Sequence, residues 1–362
     1  MAILRQRRLS AVANSLYHSF MQKGLLVCLL VGLTTSSTTA RPQEQATWEV
    51  ISSVPAPAEM FGRFGWQPSM VGCGTDETIT TYLQLRHEIV KFGLNGAVSV
   101  RIDTAHLLEP GETWVESLAP GPNGELYVMA AKAKRLKKGG VFVDGHPTLF
   151  RFDANGGLII SRRMPRFLAP RIAVFDSGDF LLFDAGPLDK APEATMFSAD
   201  GAEVKRIDLS GTALDRRNEK KAEQSPDEAL VASLAMSGNK VFISTGIADN
   251  APTVTIVGDD GKVIASSSLK LPTNFSLSLT RMVEGRLFAE LECKANALAC
   301  RSGNYYAEFD TTCGDLLAIE HDTGSVKRIP ACNTSSGMSF LNGAEKTLEV
   351  INPTGPKQPI KE

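Results

Sequence analysis

The sequence is short of most features that would announce a chemistry. Its charges nearly cancel, with 38 Lys and Arg against 40 Asp and Glu for a net charge of −2. The chain as a whole therefore offers no field to attract a nucleic acid, and no aromatic-basic interleaving marks a local site for one. No CxxC pair begins a zinc site. The five histidines, His18, His87, His106, His146 and His321, never fall into HExxH or another close ligand spacing. A GxSxG nucleophile elbow, a Gly-rich phosphate loop and a catalytic Cys/His pair are all missing. Motifs alone thus assign no catalytic residue, no metal ligand and no cofactor. Long apolar runs are also lacking. The one that stands out, GLLVCLLVGL from Gly24 to Leu33, is about half of the roughly 20 residues a spanning helix needs.

That run is preceded by Arg5, Arg7, Arg8 and Lys23 and followed by TTSSTTA, ending at Ala40. Basic, apolar and small residues in that order make a cleaved secretory signal. Residues 1–40 are expected to be the signal peptide, with a retained anchor as the alternative. The protein is expected to be exported, periplasmic or extracellular, with no membrane span after cleavage. Cys28 and His18 fall inside that signal.

What the chain has in quantity is one turn. GLNGAVSVRIDT from Gly93, DANGGLIISRRM from Asp153, SADGAEVKRIDLS from Ser198, GDDGKVIASSSL from Gly258 and HDTGSVKRIP from His321 each place Asp or Asn one or two residues ahead of a glycine, before an alternating strand. Calcium loops are the competing explanation, but an EF-hand needs further oxygen ligands and a Glu at its twelfth position. These stretches instead run into Val, Ile and Arg. A second element precedes each turn: VESLAPGPNGELYVMA from Val115, PRIAVFDSGDFLLFDA from Pro170, VASLAMSGNKVFISTG from Val231, SLSLTRMVEGRLFAEL from Ser276 and GMSFLNGAEKTLEVIN from Gly337. A degenerate copy, SMVGCGTDETITTYLQ, begins at Ser69. Each is a β run, a Gly-containing turn and a second β run, which reads as a hairpin.

Hairpin, variable connection and hairpin make four strands in roughly 45–60 residues, and six such units fit the length. The expected fold class is all-β, a six-bladed β-propeller of four-stranded antiparallel blades. SLAPGPNGELYV paired with FRFDANGGLIISRR resembles blades of the TolB-like or NHL-like propellers; the resemblance covers most of residues 45–353 and speaks for fold, not activity. The last unit, with strands near Gly337–Leu341 and Thr347–Ile351, is short of outer strands. The isolated run Thr47–Val54 is expected to supply one and close the ring. The domain expectation is therefore a signal at 1–40, an N-terminal segment with the closing strand at 41–68, the rest of the propeller at 69–353 and a flexible tail at 354–362.

Propeller geometry puts the turns GPNG, DSGD, MSGN, LNG, ANG, ADG, DDG and DTG on one face. The long stretches AAKAKRLKKGGVFVDGHP, DAGPLDKAPE, TGIADNAP, CKANALACRSGNYYAEFDTTC and LSGTALDRRNEKKAEQSPDEA go to the other. Elaborated loops on a rigid scaffold are where binding resides. On that face Lys132, Lys134, Arg135, Lys137 and Lys138 form a basic loop suited to an acidic partner, with a solvated loop as the bland reading. Glu116 and Arg171 align on neighbouring inner strands near the mouth of the central channel, where they orient a polar ligand or form an ion pair between blades. His146 lies on the same face.

Four cysteines crowd the last quarter, which in an oxidising compartment reads as two disulfides. Cys293 is placed at the end of a second strand with Cys300 in the loop after it. Cys313 is placed at the start of the third strand and Cys332 after the fourth, so Cys293–Cys300 with Cys313–Cys332 is the favoured pairing. Cys73 is left as a free thiol. The functional expectation is an exported binding module engaging a protein, peptide or glycan, without a cofactor. The alternative is a metal-dependent hydrolase or lyase resembling the gluconolactonases, with a divalent metal in the channel. It is weakened because the inner-strand positions matching Glu116 are Arg171, Val231, Leu277 and Met338.

Overall fold

The computed structural model describes residues 47–354 apart from 63–64, 67, 75, 136–140, 144, 168–169, 185–191, 213, 215–230, 248–249, 273–274, 284–285, 294–303, 312–313, 322–327, 335–336 and 343–344. The expected signal peptide and nearly all of the expected tail lie outside the described residues.

Among the described residues six sheets of four or five strands follow one another along the chain. β1 (Thr47–Pro55) and a two-residue ribbon, β2 (Phe61–Gly62) with β3 (Gly65–Trp66), come first. The first sheet holds β4 (Pro68–Cys73), β5 (Ile79–Leu83), β6 (Glu88–Phe92) and β7 (Val98–Asp103). The second holds β8 (Glu112–Pro120), β9 (Leu126–Arg135), β10 (Val141–Val143), β11 (Thr148–Phe152) and β12 (Leu158–Arg163). In the third are β13 (Pro170–Val174), β14 (Phe180–Asp184), β15 (Glu193–Phe197) and β16 (Glu203–Ile207). The fourth comprises β17 (Val231–Ser237), β18 (Lys240–Ile247), β19 (Asn250–Gly258) and β20 (Val263–Ser268). The fifth comprises β21 (Phe275–Val283), β22 (Arg286–Cys293), β23 (Asn304–Phe309) and β24 (Leu316–His321). The last has β25 (Arg328–Thr334), β26 (Gly337–Asn342) and β27 (Thr347–Thr354), and its fourth strand is β1, antiparallel to β27. First strands of successive sheets pack in cyclic order: β4 on β8, β8 on β13, β13 on β17, β17 on β21, β21 on β25, and β25 back on β4. The architecture is all-β and consistent with a β-propeller.

The core is divided rather than central. Buried side chains form clusters that each lie between two consecutive sheets: Leu181 and Phe183 with Val241 and Ile243 between the third and fourth, Phe242 and Ile256 with Leu287 and Phe309 between the fourth and fifth. Alternate residues of one strand serve different clusters. Phe180 and Leu182 point to the second sheet while Leu181 and Phe183 point to the fourth. That is why FLLFD is apolar without alternation: both faces of the strand are covered. Polar links cross the same gaps. The Tyr127 hydroxyl donates to Gly178 O at 3.0 Å in the next sheet, and burial pushes its pKa up to about 12.

The repeated turn joins the third and fourth strands, and its polar residue is consumed locally. Asp153 Oδ1 accepts from the N–H groups of Asn155 and Gly157, both at 2.8 Å. Asn95, Asp200 and Asp260 accept likewise from Ala97, Ala202 and Lys262. The Ser198 hydroxyl first, then the Ala202 N–H, hold Asp200 below the usual carboxylate range. These groups close an Asx turn and the hairpin accounts for them without a cation. A one-residue register shift follows in each fourth strand, where Ser99, Ile159, Val204 and Ile264 are the extra residues of a bulge. The glycine answers a second demand. Gly156 has φ 85° and Gly96 φ 77°. A Cβ on Gly156 would stand 2.9 Å from Val100 Cγ1 of the first sheet, and one on Gly96 2.5 Å from the Pro55 carbonyl oxygen of β1. Gly201 and Gly261 meet the second and third sheets in the same way.

Two expectations about the end of the chain are corrected. HDTGSVKRIP is not a turn between third and fourth strands. It begins at the last residue of β24 and runs into β25, with 322–327 outside the described residues. The fifth sheet instead uses DTTCGD, where Asp310 N donates to Asp315 O at 2.8 Å and Gly314 N to Asp310 O at 3.0 Å. This turn is one residue longer, which hides it from the pattern, yet Gly314 also abuts a carbonyl of the preceding sheet, that of Ser268. Gly337–Leu341 is correspondingly the second strand of the last sheet, not the first, and LNG joins the second and third strands.

Gly96→Ala and Gly238→Ala both force an L-residue to positive φ, but nothing lies within 4 Å of a Cβ on Gly238. Each should lose about 1–2 kcal/mol for the conformation, and Gly96→Ala roughly 1–3 kcal/mol more for overpacking against Pro55. Urea unfolding at matched slope measures the difference; equal losses would show that β1 does not bear on this turn.

Candidate binding face

Connections divide between the two ends of the sheets. Turns between first and second strands, and between third and fourth, gather at one end. Connections between second and third strands, and between sheets, gather at the other. One stretch expected to be a long loop is not one: TGIADNAP is largely strand, with Ile247 paired to Asn250 across 248–249.

The basic stretch is likewise partly strand. β9 runs to Arg135, and β10 returns along it with Val141 opposite Arg135, Phe142 opposite Lys134 and Val143 opposite Ala133. Lys132 and Lys134 are exposed and alternate with buried Ala131 and Ala133, so both amines project from one face of a ribbon. Lys137 and Lys138 lie outside the described residues, as does the side chain of Arg135. His146 is exposed in the connection from β10 to β11.

Glu116 and Arg171 are brought together. Glu116 is the extra residue of a bulge in β8, between Val115 and Ser117 in the register with β9. Bulges re-aim a side chain. Arg171 is the second residue of β13; its Nη1 donates to Glu116 O at 3.1 Å and to Pro170 O at 3.5 Å. Beside it, Ile172 N donates to Ser117 Oγ at 3.1 Å, so two bonds stitch the inner strands of the second and third sheets. A third group was missed by sequence reasoning: Asp184, the buried last residue of β14, paired with Pro170. It was read as the start of the loop DAGPLDKAPE. Its place at a strand end, opposite the residue before Arg171, is the signal that would have found it. Burial lowers the Arg171 pKa, and the charges of Glu116 and Asp184 oppose that fall. Arg171 is half-buried, with part of its surface in solvent. The guanidinium stays charged, and the cluster is a cation with two carboxylates at the end carrying the long connections.

Among the described residues no group of three His, Cys, Asp or Glu side chains is placed to hold a metal ion. Of the inner-strand positions matched to Glu116, Met338 is on β26, a second strand, and drops out of the comparison. Two cysteine expectations change. Cys73 and Cys293 are both disulfide-bonded, so Cys73 is not a free thiol. Cys332 lies on β25, the first strand of the last sheet, and Cys313 falls between β23 and β24, so they are not on antiparallel neighbours and the ground for pairing them is gone. Cys300 and Cys313 themselves lie outside the described residues, and no described helix is long and apolar enough to cross a membrane.

The chain matches no family model and no curated protein by sequence. Among solved structures it resembles a member of the DUF4221 family from Bacteroides vulgatus, at 11% identity over 86% of this chain and 99% of that one, with a TM-score of 0.52. A protein of unknown function from Dyadobacter fermentans gives 9% identity, 84% and 98% coverage, and a TM-score of 0.50. A gluconolactonase from Xanthomonas campestris gives 14%, 84% and 98%, with a TM-score of 0.47. Likeness at such identities concerns fold alone.

Arg171→Met should destabilise the protein by about 3–5 kcal/mol, because it leaves two carboxylates facing a half-buried, uncharged side chain. Adding Asp184→Asn should recover part of the loss. Chemical denaturation of the four proteins of the cycle measures it, and a single variant within about 0.5 kcal/mol of wild type would remove Arg171 from any structural role.

Proposed function

We propose that the chain is an exported binding module on a closed six-bladed propeller of the TolB-like or NHL-like type, with β1 as the closing strand, and that it engages a protein, peptide or glycan through the end carrying the long connections. One observation carries this reading: the polar groups of the two ends have different fates. At the tight-turn end Asn95, Asp153, Asp200 and Asp260 spend their acceptors on the turns that hold them. At the other end Lys132 and Lys134 stand exposed on a ribbon beyond the body of the sheet, and the Glu116–Arg171–Asp184 cluster gathers by the start of β13 and the end of β14. Lys134, Arg135, Lys137 and Lys138 would attract an acidic partner, with Glu116, Arg171 and His146 meeting its polar groups.

The metal-dependent hydrolase or lyase keeps Glu116 as one candidate ligand, but it needs further oxygen donors on other inner strands, and Val231 and Leu277 offer none. Nothing in the described donor set favours it over binding.

The test uses a sulfated glycan and an acidic peptide as probes. Wild type should bind one of them saturably, and reversal of Lys134, Arg135, Lys137 and Lys138 to Glu should weaken binding at least about tenfold while stability stays within about 0.5 kcal/mol. Unchanged binding by the variant would return the basic stretch to a solvated surface. Metal analysis of the dialysed protein decides between the classes: a stoichiometric divalent ion together with lactone hydrolysis would replace the binding reading with the enzyme.

A further inference from the structure

Cys73 is disulfide-bonded, and the fold narrows its partner to one residue. Cys73 is the last residue of β4, paired with Ile79 across the turn to β5, and so sits at the tight-turn end of an inner strand. It packs on the cluster that joins the first sheet to the last, beside Leu341 and Leu348. Cys293 is at the opposite end, closing β22 across from Phe275 at the start of β21. Cys300 follows Cys293 in the connection to β23, which leaves from that same far end. Cys313 belongs to the turn between β23 and β24, whose Gly314 rests on Ser268 of the fourth sheet, away from the first. Cys332 remains. Its backbone is on β25, paired with Ser339 two residues before the strand meets its tight turn, and β25 is the inner strand that packs on β4.

We infer that a Cys73–Cys332 disulfide clasps the first sheet to the last on the inner side of the ring. It would close a loop of about 260 residues, where chain-entropy stabilisation is near its largest. β1 joins the same sheets from outside through backbone hydrogen bonds; the clasp adds a covalent tie at the axis. Forming it takes two electrons and two protons from the two thiols. A disulfide-donating thiol oxidant of the export compartment accepts them and is itself reduced to a dithiol. Closure of the ring is thereby coupled to the redox state of the surroundings. Cys293 then pairs with Cys300, and Cys313 is the odd thiol. The inference rests on the closed ring but not on any ligand, so failure of the probe-binding experiment leaves it standing.

Digestion of the alkylated, unreduced protein should release one peptide pair joining Cys73 to Cys332, with the alkyl label on Cys313. A link from Cys73 to any other cysteine, or label on Cys332, would overturn the clasp. Energetics give a second readout. Cys73→Ala, Cys332→Ala and the double variant should lower the urea midpoint by the same amount, roughly 1 M, because each breaks one and the same bond. Losses that add in the double variant would refute it. If a variant fails to fold, the wild-type peptide map decides alone.

Discussion

Sheet follows sheet at a spacing set by a side chain that is not there. Each hairpin of third and fourth strands turns on a glycine in the left-handed region, and the face where its Cβ would be is occupied by the outer part of the preceding sheet. Conformation and proximity make the same demand at one position, so that residue is fixed twice over. The carbonyl of Pro55 holds, against Gly96, the place that Val100 holds against Gly156. β1 is thus treated by its neighbour as an ordinary outer strand, although the other strands of its sheet come from the opposite end of the chain.

The divided core follows from this spacing. Each apolar cluster draws on two consecutive sheets, and a middle strand such as β14 gives alternate side chains to the clusters on either side. No sheet buries both its faces alone, so stability is shared between neighbours as in repeat proteins. Cross-sheet bonds such as Tyr127 to Gly178 and Arg171 to Glu116 tune the same contacts. With the spacing of the sheets set by the tight turns at one end, the connections at the other end are free to vary in length and charge.

Local chemistry was legible in the sequence wherever it repeats. The turn could be read because its Asp or Asn stands directly before the left-handed glycine, as in Asn95-Gly96, Asp200-Gly201 and Asp260-Gly261, where the Asx hydrogen bond and the positive φ need those residue types. One inserted residue in DTTCGD was enough to hide the fifth turn, and a chance DTG beyond β24 was taken in its place. That slip moved Cys332 off an inner strand and Gly337–Leu341 onto one. Glu116 and Arg171 were legible because aligned inner strands place them side by side. Asp184 was not, because pairing across β13 and β14 brings it to them and no spacing along the chain does. The reach of β9 and β10 beyond the sheet was hidden for another reason: Lys-rich composition suggests a loop, while strand pairing is decided by a partner in space.

The pairing of Thr47 with Thr354 sets the order in which a newly made chain can finish itself. Without β1, β27 is an edge strand with unpaired backbone donors and acceptors, and β1 has no partner strand until Thr347–Thr354 have been made. At about 5–20 residues per second of synthesis, some 300 residues separate the two strands by roughly 15–60 s. For that interval every other sheet can form while the two partners of the closing pair wait apart.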